Sequence, residues 1–151
     1  MINKIYRKAV PEDAPKCIAI RGCTRENAFS EKQLAALGIT LSTWREGIRD
    51  GSLPGYVCCI DEEMVGYCFG DRETGEIVVL ALLPDYEQLG IGKMLLYLMT
   101  QEMRRKGFKR IFLGCSTDTT SRSYGFYRHL GWIPTGELDT AGDEILEFKM
   151  E

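Results

Sequence analysis

The sequence predicts an α/β fold, a mixed central sheet of about six to seven strands flanked by helices in the order βααβββαβαββ. Three observations carry this expectation. Residues 77–83 form an unbroken apolar run between Gly75 and Pro84, the pattern of a strand buried on both faces. Ile91, Met94, Leu95, Leu98, Met99 and Met103 then recur at helical spacing, and Gly107 closes that helix behind Arg104, Arg105 and Lys106, whose charges suit the negative end of its dipole. A second apolar strand, 110–115, follows, and a crossover helix between the two predicts that they lie adjacent and parallel.

The other elements follow in order. Residues 2–10 read as a first strand. Pro11, Glu12 and Asp13 begin a helix, with proline and acidic residues in its first turn, and it runs through Ala14, Cys17, Ile18 and Arg21 to Gly22. Ser30 to Gln33 is a capping sequence ahead of Leu34 and Leu37, Gly38 breaks that helix, and another runs from Ser42 through Trp44 and Ile48 to Gly51. Residues 55–60 and 64–70 predict a hairpin turning at Asp61-Glu62-Glu63. Beyond the central unit, 121–130 reads as a helix ending at Gly131, and 132–139 with 144–150 as a closing hairpin around Ala141-Gly142-Asp143.

Composition bounds the function. A chain of 151 residues has one domain's length, and its 44% hydrophobic and 27% charged residues are those of an ordinary globular protein. The net charge of −3 argues against nucleic acid as a partner, and no apolar run reaches the ~18 residues of a membrane span. Met1-Ile2-Asn3-Lys4 leads straight into strand sequence, so no signal peptide is expected. The six cysteines form no C-x-x-C pair and the chain has one histidine, so we expect no metal site and a reduced, cytoplasmic protein.

The candidate chemistry centres on Gly90-Ile91-Gly92 at the start of the long helix. Glycines there let backbone N–H groups approach an anion, and the helix dipole favours negative charge, so the turn suits a pyrophosphate. The two common phosphate loops do not match: Met94 stands where a Walker-type loop needs a hydroxyl, and Leu95 where a dinucleotide fingerprint needs a third glycine.

The frame Glu87-Gln88-Leu89-Gly90-Ile91-Gly92 resembles the Gln/Arg-x-x-Gly-x-Gly/Ala signature of the GNAT superfamily of N-acetyltransferases. Downstream, Phe126-Tyr127-Arg128-His129-Leu130-Gly131-Trp132 is similar to that family's Phe-Tyr-x-x-x-Gly-Phe element. The resemblance covers about the C-terminal half of the chain. It implies a single-domain GNAT-like fold over residues 1–151, with the two central strands splayed and acetyl-CoA, as cosubstrate, lying in the gap. It implies an acetyl-CoA-dependent N-acetyltransferase acting on a primary amine of a small molecule or peptide, by direct transfer in a ternary complex. O-acylation and a longer acyl donor are alternatives, as is a non-catalytic acyl-CoA-binding or sensing module, or a protein-interaction module, of the same fold. A homodimer is left open.

Residue by residue, the resemblance assigns the cofactor to Leu80, Ala81 and Leu82, to Gln88, Leu89, Gly90, Ile91, Gly92 and Lys93, and to Thr120 and Ser123, with the Leu82 N–H as oxyanion donor. Tyr127 is the expected general acid for the departing thiolate, with Tyr124 behind it. Glu76, fourteen residues before Gly90, is the expected base, with Asp118 or water as rivals; Cys115 as a nucleophile lacks an oriented histidine. Glu87 departs from the signature, because a carboxylate beside a pyrophosphate is repulsive unless it points away. Arg25, Glu26, Phe29 and Trp44 are candidates for acceptor specificity. Glu137, Asp139, Asp143, Glu144 and Glu147 either draw in a cationic amine or protect the edges of the closing hairpin.

Overall fold

The computed structural model describes residues 3–26 and 28–150, so Ile2 of the first expected strand lies outside the described residues. Strand β1 spans Lys4–Lys8. Pro11–Asp13 forms a 3-10 turn rather than the first turn of a helix. Asp13 accepts from the Val10 amide and takes both guanidinium nitrogens of Arg7, each at 2.8 Å, which fixes the exit from β1. The helical region then resolves into three helices: α1 (Ala14–Arg21), α2 (Glu31–Ala36) and α3 (Leu41–Asp50). The expected capping box forms at α2, where Ser30 Oγ accepts from the Gln33 amide and Gln33 Oε1 from the Ser30 amide. A second box, Thr40 with Thr43, starts α3 one residue before Ser42.

Strands β2 (Gly55–Ile60), β3 (Glu63–Gly70) and β4 (Ile77–Leu82) complete an antiparallel sheet in the order β1-β2-β3-β4. Helix α4 (Ile91–Arg105) follows, then β5 (Arg110–Cys115), α5 (Arg122–His129), β6 (Ile133–Leu138) and β7 (Glu144–Lys149). The last three strands form a second sheet, ordered β5-β7-β6.

The first sheet is covered on both faces. Cys17, Ile20, Leu34 and Trp44 from α1–α3 pack on Val57, Tyr67 and Phe69. On the other face Leu95, Met99 and Met103 of α4 pack on Tyr56, Cys58, Val65 and Cys68, and this core continues into Ile111, Leu113 and Leu146 of the second sheet.

The expected parallel pairing of β4 with β5 exists only at its root. Glu76 bridges Phe112, and the Phe112 amide donates to the Gly75 carbonyl at 3.2 Å; beyond that the strands part into separate sheets. A bulge accompanies the parting. Phe69 pairs with Val79 and Gly70 with Ile77, leaving Val78 without a partner on β3. The apolar run at 77–83 is therefore not buried on both faces: Val78 is 41% exposed, and Val79, Leu80 and Leu82 are half-buried. Its residues are apolar because they wall a groove.

Candidate active site

The gap between β4 and β5 is a groove of about 310 Å³, lined by Leu80, Ala81 and Leu82 of β4, by Leu113 and Cys115 of β5, and by Gly92, Phe126 and Tyr127. The register determines which backbone groups of β4 reach it. Leu83 donates to the Val65 carbonyl, so Leu83 and Ala81 bond toward β3. Leu80 and Leu82, at the alternate positions opposite Cys68 and Gly66, turn their N–H and C=O groups away from β3 and toward the gap. An extended chain lying there would find a strand edge with donors and acceptors already aligned.

At one end of the groove the chain turns through Pro84–Tyr86, Gln88 at φ +64° and Gly90 at φ +80° into α4. No side chain caps this helix, so its first-turn amides have no side-chain acceptor of their own. Gly92 lines the groove, and a Cβ added there would sit 3.5 Å from Phe126 and 4.0 Å from Leu80, in ordinary contact. Packing alone does not require the glycine. What a side chain would fill is the space beside the first-turn amides, so the site fits an anionic ligand that approaches the backbone closely.

Glu87 turns to protein partners. Its carboxylate, 13% exposed, receives Arg25 Nε and Arg122 Nη1, each at 2.8 Å. The neighbouring Glu26 carboxylate accepts from the Arg122 amide at the start of α5. The loop after α1 is thus stitched to the turn before α4 and to the start of α5, and the charges lining the groove include Arg21, Arg25 and Arg122 with Glu26 and Glu87. The repulsion expected of Glu87 is offset by two fixed cations.

Tyr127 faces the groove from α5, its ring edge-on to Phe126 at 5.0 Å and to Trp132 at 6.0 Å. Burial first, and the neighbouring Cys68 and Cys115 after it, push the phenol well above its ordinary range, so it keeps its proton at neutral pH. Burial also raises the Cys115 thiol, which keeps it out of the nucleophilic thiolate form, and His129 is exposed. Asp118 is held in a turn by the Thr120 amide at 2.9 Å and hydroxyl at 2.7 Å, contacts that lower its pKa. Glu76 stands at the root of the β4–β5 gap, half-buried, its carboxyl raised by burial and by Asp71 and Asp139. Asp143 lines the groove beside Gly114, also raised by burial and by Asp139.

The groove thus gathers Leu80, Ala81, Leu82, Gly92, Ser123 and Tyr127 from the expected set. Gly90 and the exposed Gln88 and Lys93 lie on the turn into α4, while Ile91 is buried, Leu89 is half-buried beside the same core, and Thr120 caps the Asp118 turn. Glu76 borders the groove next to Ile77 without lining it. Arg122 escaped the sequence reading, although an arginine at the start of the helix that carries Tyr127 is the partner a lone Glu87 called for. The acidic hairpin is mostly paired with the rest of the protein or with its own backbone: Glu144 with Arg128 of α5, Glu147 with Arg110 of β5, and Asp139 with the amides of Ala141 and Asp143. Of its five carboxylates, Asp143 alone lines the groove among the described residues.

Known proteins share this fold. The PaiA N-acetyltransferase of Thermoplasma acidophilum, solved with coenzyme A, superposes with a TM-score of 0.81 over 97% of this chain and 99% of its own at 21% identity. YncA of Salmonella typhimurium, solved with acetyl-CoA, gives 0.75 over 99% and 95% at 16% identity. In sequence, an amino-acid acetyltransferase of Yersinia pseudotuberculosis is 34% identical over 73 residues, 48% of this chain and 15% of that protein, so the chain spans only a small part of that relative. The family model for GNAT acetyltransferases matches residues 15–132, and the chain belongs to that family, whose acyl donor is acetyl-CoA.

Proposed function

We propose that this chain is an acetyl-CoA-dependent N-acetyltransferase, one domain across residues 1–151, which moves acetyl directly to a primary amine of a small molecule or peptide within a ternary complex. The observation that carries this reading is the splayed groove, with a free strand edge along one side, an uncapped glycine-flanked helix start at one end and a protonated tyrosine facing it. Acetyl-CoA supplies the acetyl group as a thioester. The first-turn amides of α4 hold its pyrophosphate, with Arg25 and Arg122 as the fixed cations. The outward N–H and C=O groups of Leu80 and Leu82 align the pantetheine, and the Leu82 N–H donates to the oxyanion as the amine adds to the carbonyl.

As the new C–N bond forms and the C–S bond breaks, the sulfur leaves with the bonding pair and Tyr127 supplies its proton. The proton released from the amine passes to Glu76, directly or through water, or to Asp143, the carboxylates whose raised pKa suits a base. A buried, protonated Cys115 and an exposed His129 support direct transfer over an acyl-cysteine route. The six free cysteines fit a reducing compartment, and we assign the protein to the cytoplasm; no helix among the described residues is long and apolar enough to cross a membrane. Thiol release from acetyl-CoA, followed across a panel of primary amines, tests the reading. Turnover with at least one amine supports it, and no turnover in a protein that binds CoA would favour a sensing module.

A further inference from the structure

A second cavity, of about 390 Å³, lies on the opposite side of the β4 bulge. The first sheet and helices α2 and α3 enclose it, and its surface is almost wholly apolar. Trp44 and Phe69 form its floor and stand edge-on to each other at 5.5 Å. Tyr67 stands edge-on to both, and its hydroxyl donates to the Cys17 carbonyl, so this floor is rigid before any ligand arrives. Leu37, 64% exposed, and Ile39, 38% exposed, stand at the rim.

This cavity adjoins the groove. Arg21, Val78 and Val79 line both. Val78 is the bulge residue, so the wall that the two spaces share includes the point where β4 bulges against β3. Arg21 lies over the Phe29 ring at 4.6 Å on the same shared wall.

We propose that the acceptor is a primary amine with an apolar aliphatic or aromatic body and no second positive charge. The body occupies the cavity under α2 and α3, and the amine emerges past Val78 into the groove. This proposal rests on the acetyltransferase reading and deepens it. Apolar walls stabilise such a body by about 25 cal/mol per Å² removed from water. A second ammonium on the acceptor would enter a site with no carboxylate in its lining among the described residues, next to Arg21. That is the reverse of the cation-steering role weighed above for the closing hairpin, where Glu144 and Glu147 are already paired with Arg128 and Arg110.

The test compares kcat/KM with acetyl-CoA for 2-phenylethylamine and phenylalanine against putrescine, spermidine and ethanolamine. Titration of 2-phenylethylamine into the CoA-loaded protein gives a second readout. At least one apolar amine should exceed all three polar amines by about tenfold or more, or ~1.4 kcal/mol. Leu37→Glu, at an exposed rim position, should lower that value by about tenfold with CoA affinity unchanged. A preference for spermidine or putrescine, or neither binding nor turnover of the apolar amines by a protein that binds CoA, overturns the proposal and leaves the acetyltransferase reading standing. A wild-type protein that binds no CoA overturns both. Unchanged kinetics in a folded Leu37→Glu variant removes the cavity from acceptor choice.

Discussion

The groove between β4 and β5 and the cavity beneath α2 and α3 meet at Arg21, Val78 and Val79, yet they are built from different materials. On the proposed reading the groove binds through backbone, and its working parts are the outward amides of Leu80 and Leu82, the first turn of α4, and charges held in place by Glu87. On the same reading the cavity binds through side chains, with aromatic rings and leucines drawn from helices, loops and β3. A backbone site tolerates change in side chains and needs only a register, a bulge and glycines. A side-chain site changes with every substitution. If the proposal holds, geometry sets the part that holds the common donor and surface chemistry the part that selects the acceptor.

The largest expected effect separates chemistry from binding within the groove. Tyr127→Phe keeps the ring contacts with Phe126 and Trp132 and removes only the proton. We expect kcat to fall by about 10²-fold or more with the acetyl-CoA KM nearly unchanged. A kcat within about a factor of two of wild type would make Tyr127 structural, and Tyr124 would be examined next.

A smaller effect tests whether side chains contribute to the donor end at all. Arg122→Ala removes one of the two cations that Glu87 holds, and CoA should bind about tenfold more weakly by calorimetry, or ~1.4 kcal/mol. Glu87→Gln gives the sharper result. If Glu87 braces Arg25 and Arg122, its loss weakens CoA binding; if it only repels the pyrophosphate, its loss strengthens binding.

The smallest effect lies at the root of the gap and appears in pH dependence. Glu76 must be ionised to act as a base, and its carboxyl is raised by burial, Asp71 and Asp139. Activity should therefore fall as pH drops through that raised value, and Glu76→Gln should abolish this acid limb. If Asp143→Asn abolishes it instead, Asp143 is the base. The same shift has a stability consequence of opposite sign. A carboxyl that binds its proton more tightly in the folded state costs stability once it ionises. Glu76→Gln should thus melt no lower than wild type at neutral pH, and a clearly lower Tm would show that Glu76 has a structural role.

The same contrast explains what the sequence disclosed. The 77–83 run, the Gly90–Gly92 turn and the Phe126–Trp132 element were legible because each is a local pattern tied to backbone geometry. The capping box of Ser30 and Gln33 was legible for the same reason. The bulge at Val78 was not, since a β-bulge depends on how a partner strand registers, and Phe69 and Gly70 lie several residues away across a turn. Nor was the pairing of Glu87 with Arg25 and Arg122, which joins side chains 62 residues apart in one case and belongs to three different elements. Trp44 could be named as a candidate, but that it shares a cavity with Leu37, Phe69 and Val78 required the fold.

The central claim, that the groove holds acyl-CoA through the backbone at Gly92, is tested most directly by calorimetric titration of CoA into the wild-type protein and Gly92→Val. A Cβ at this position meets only ordinary contacts within the protein, so the variant should fold, which circular dichroism checks. The account predicts that wild type binds CoA and that Gly92→Val binds at least about tenfold more weakly. A wild-type protein that does not bind CoA, or a folded Gly92→Val protein with wild-type affinity, would contradict it.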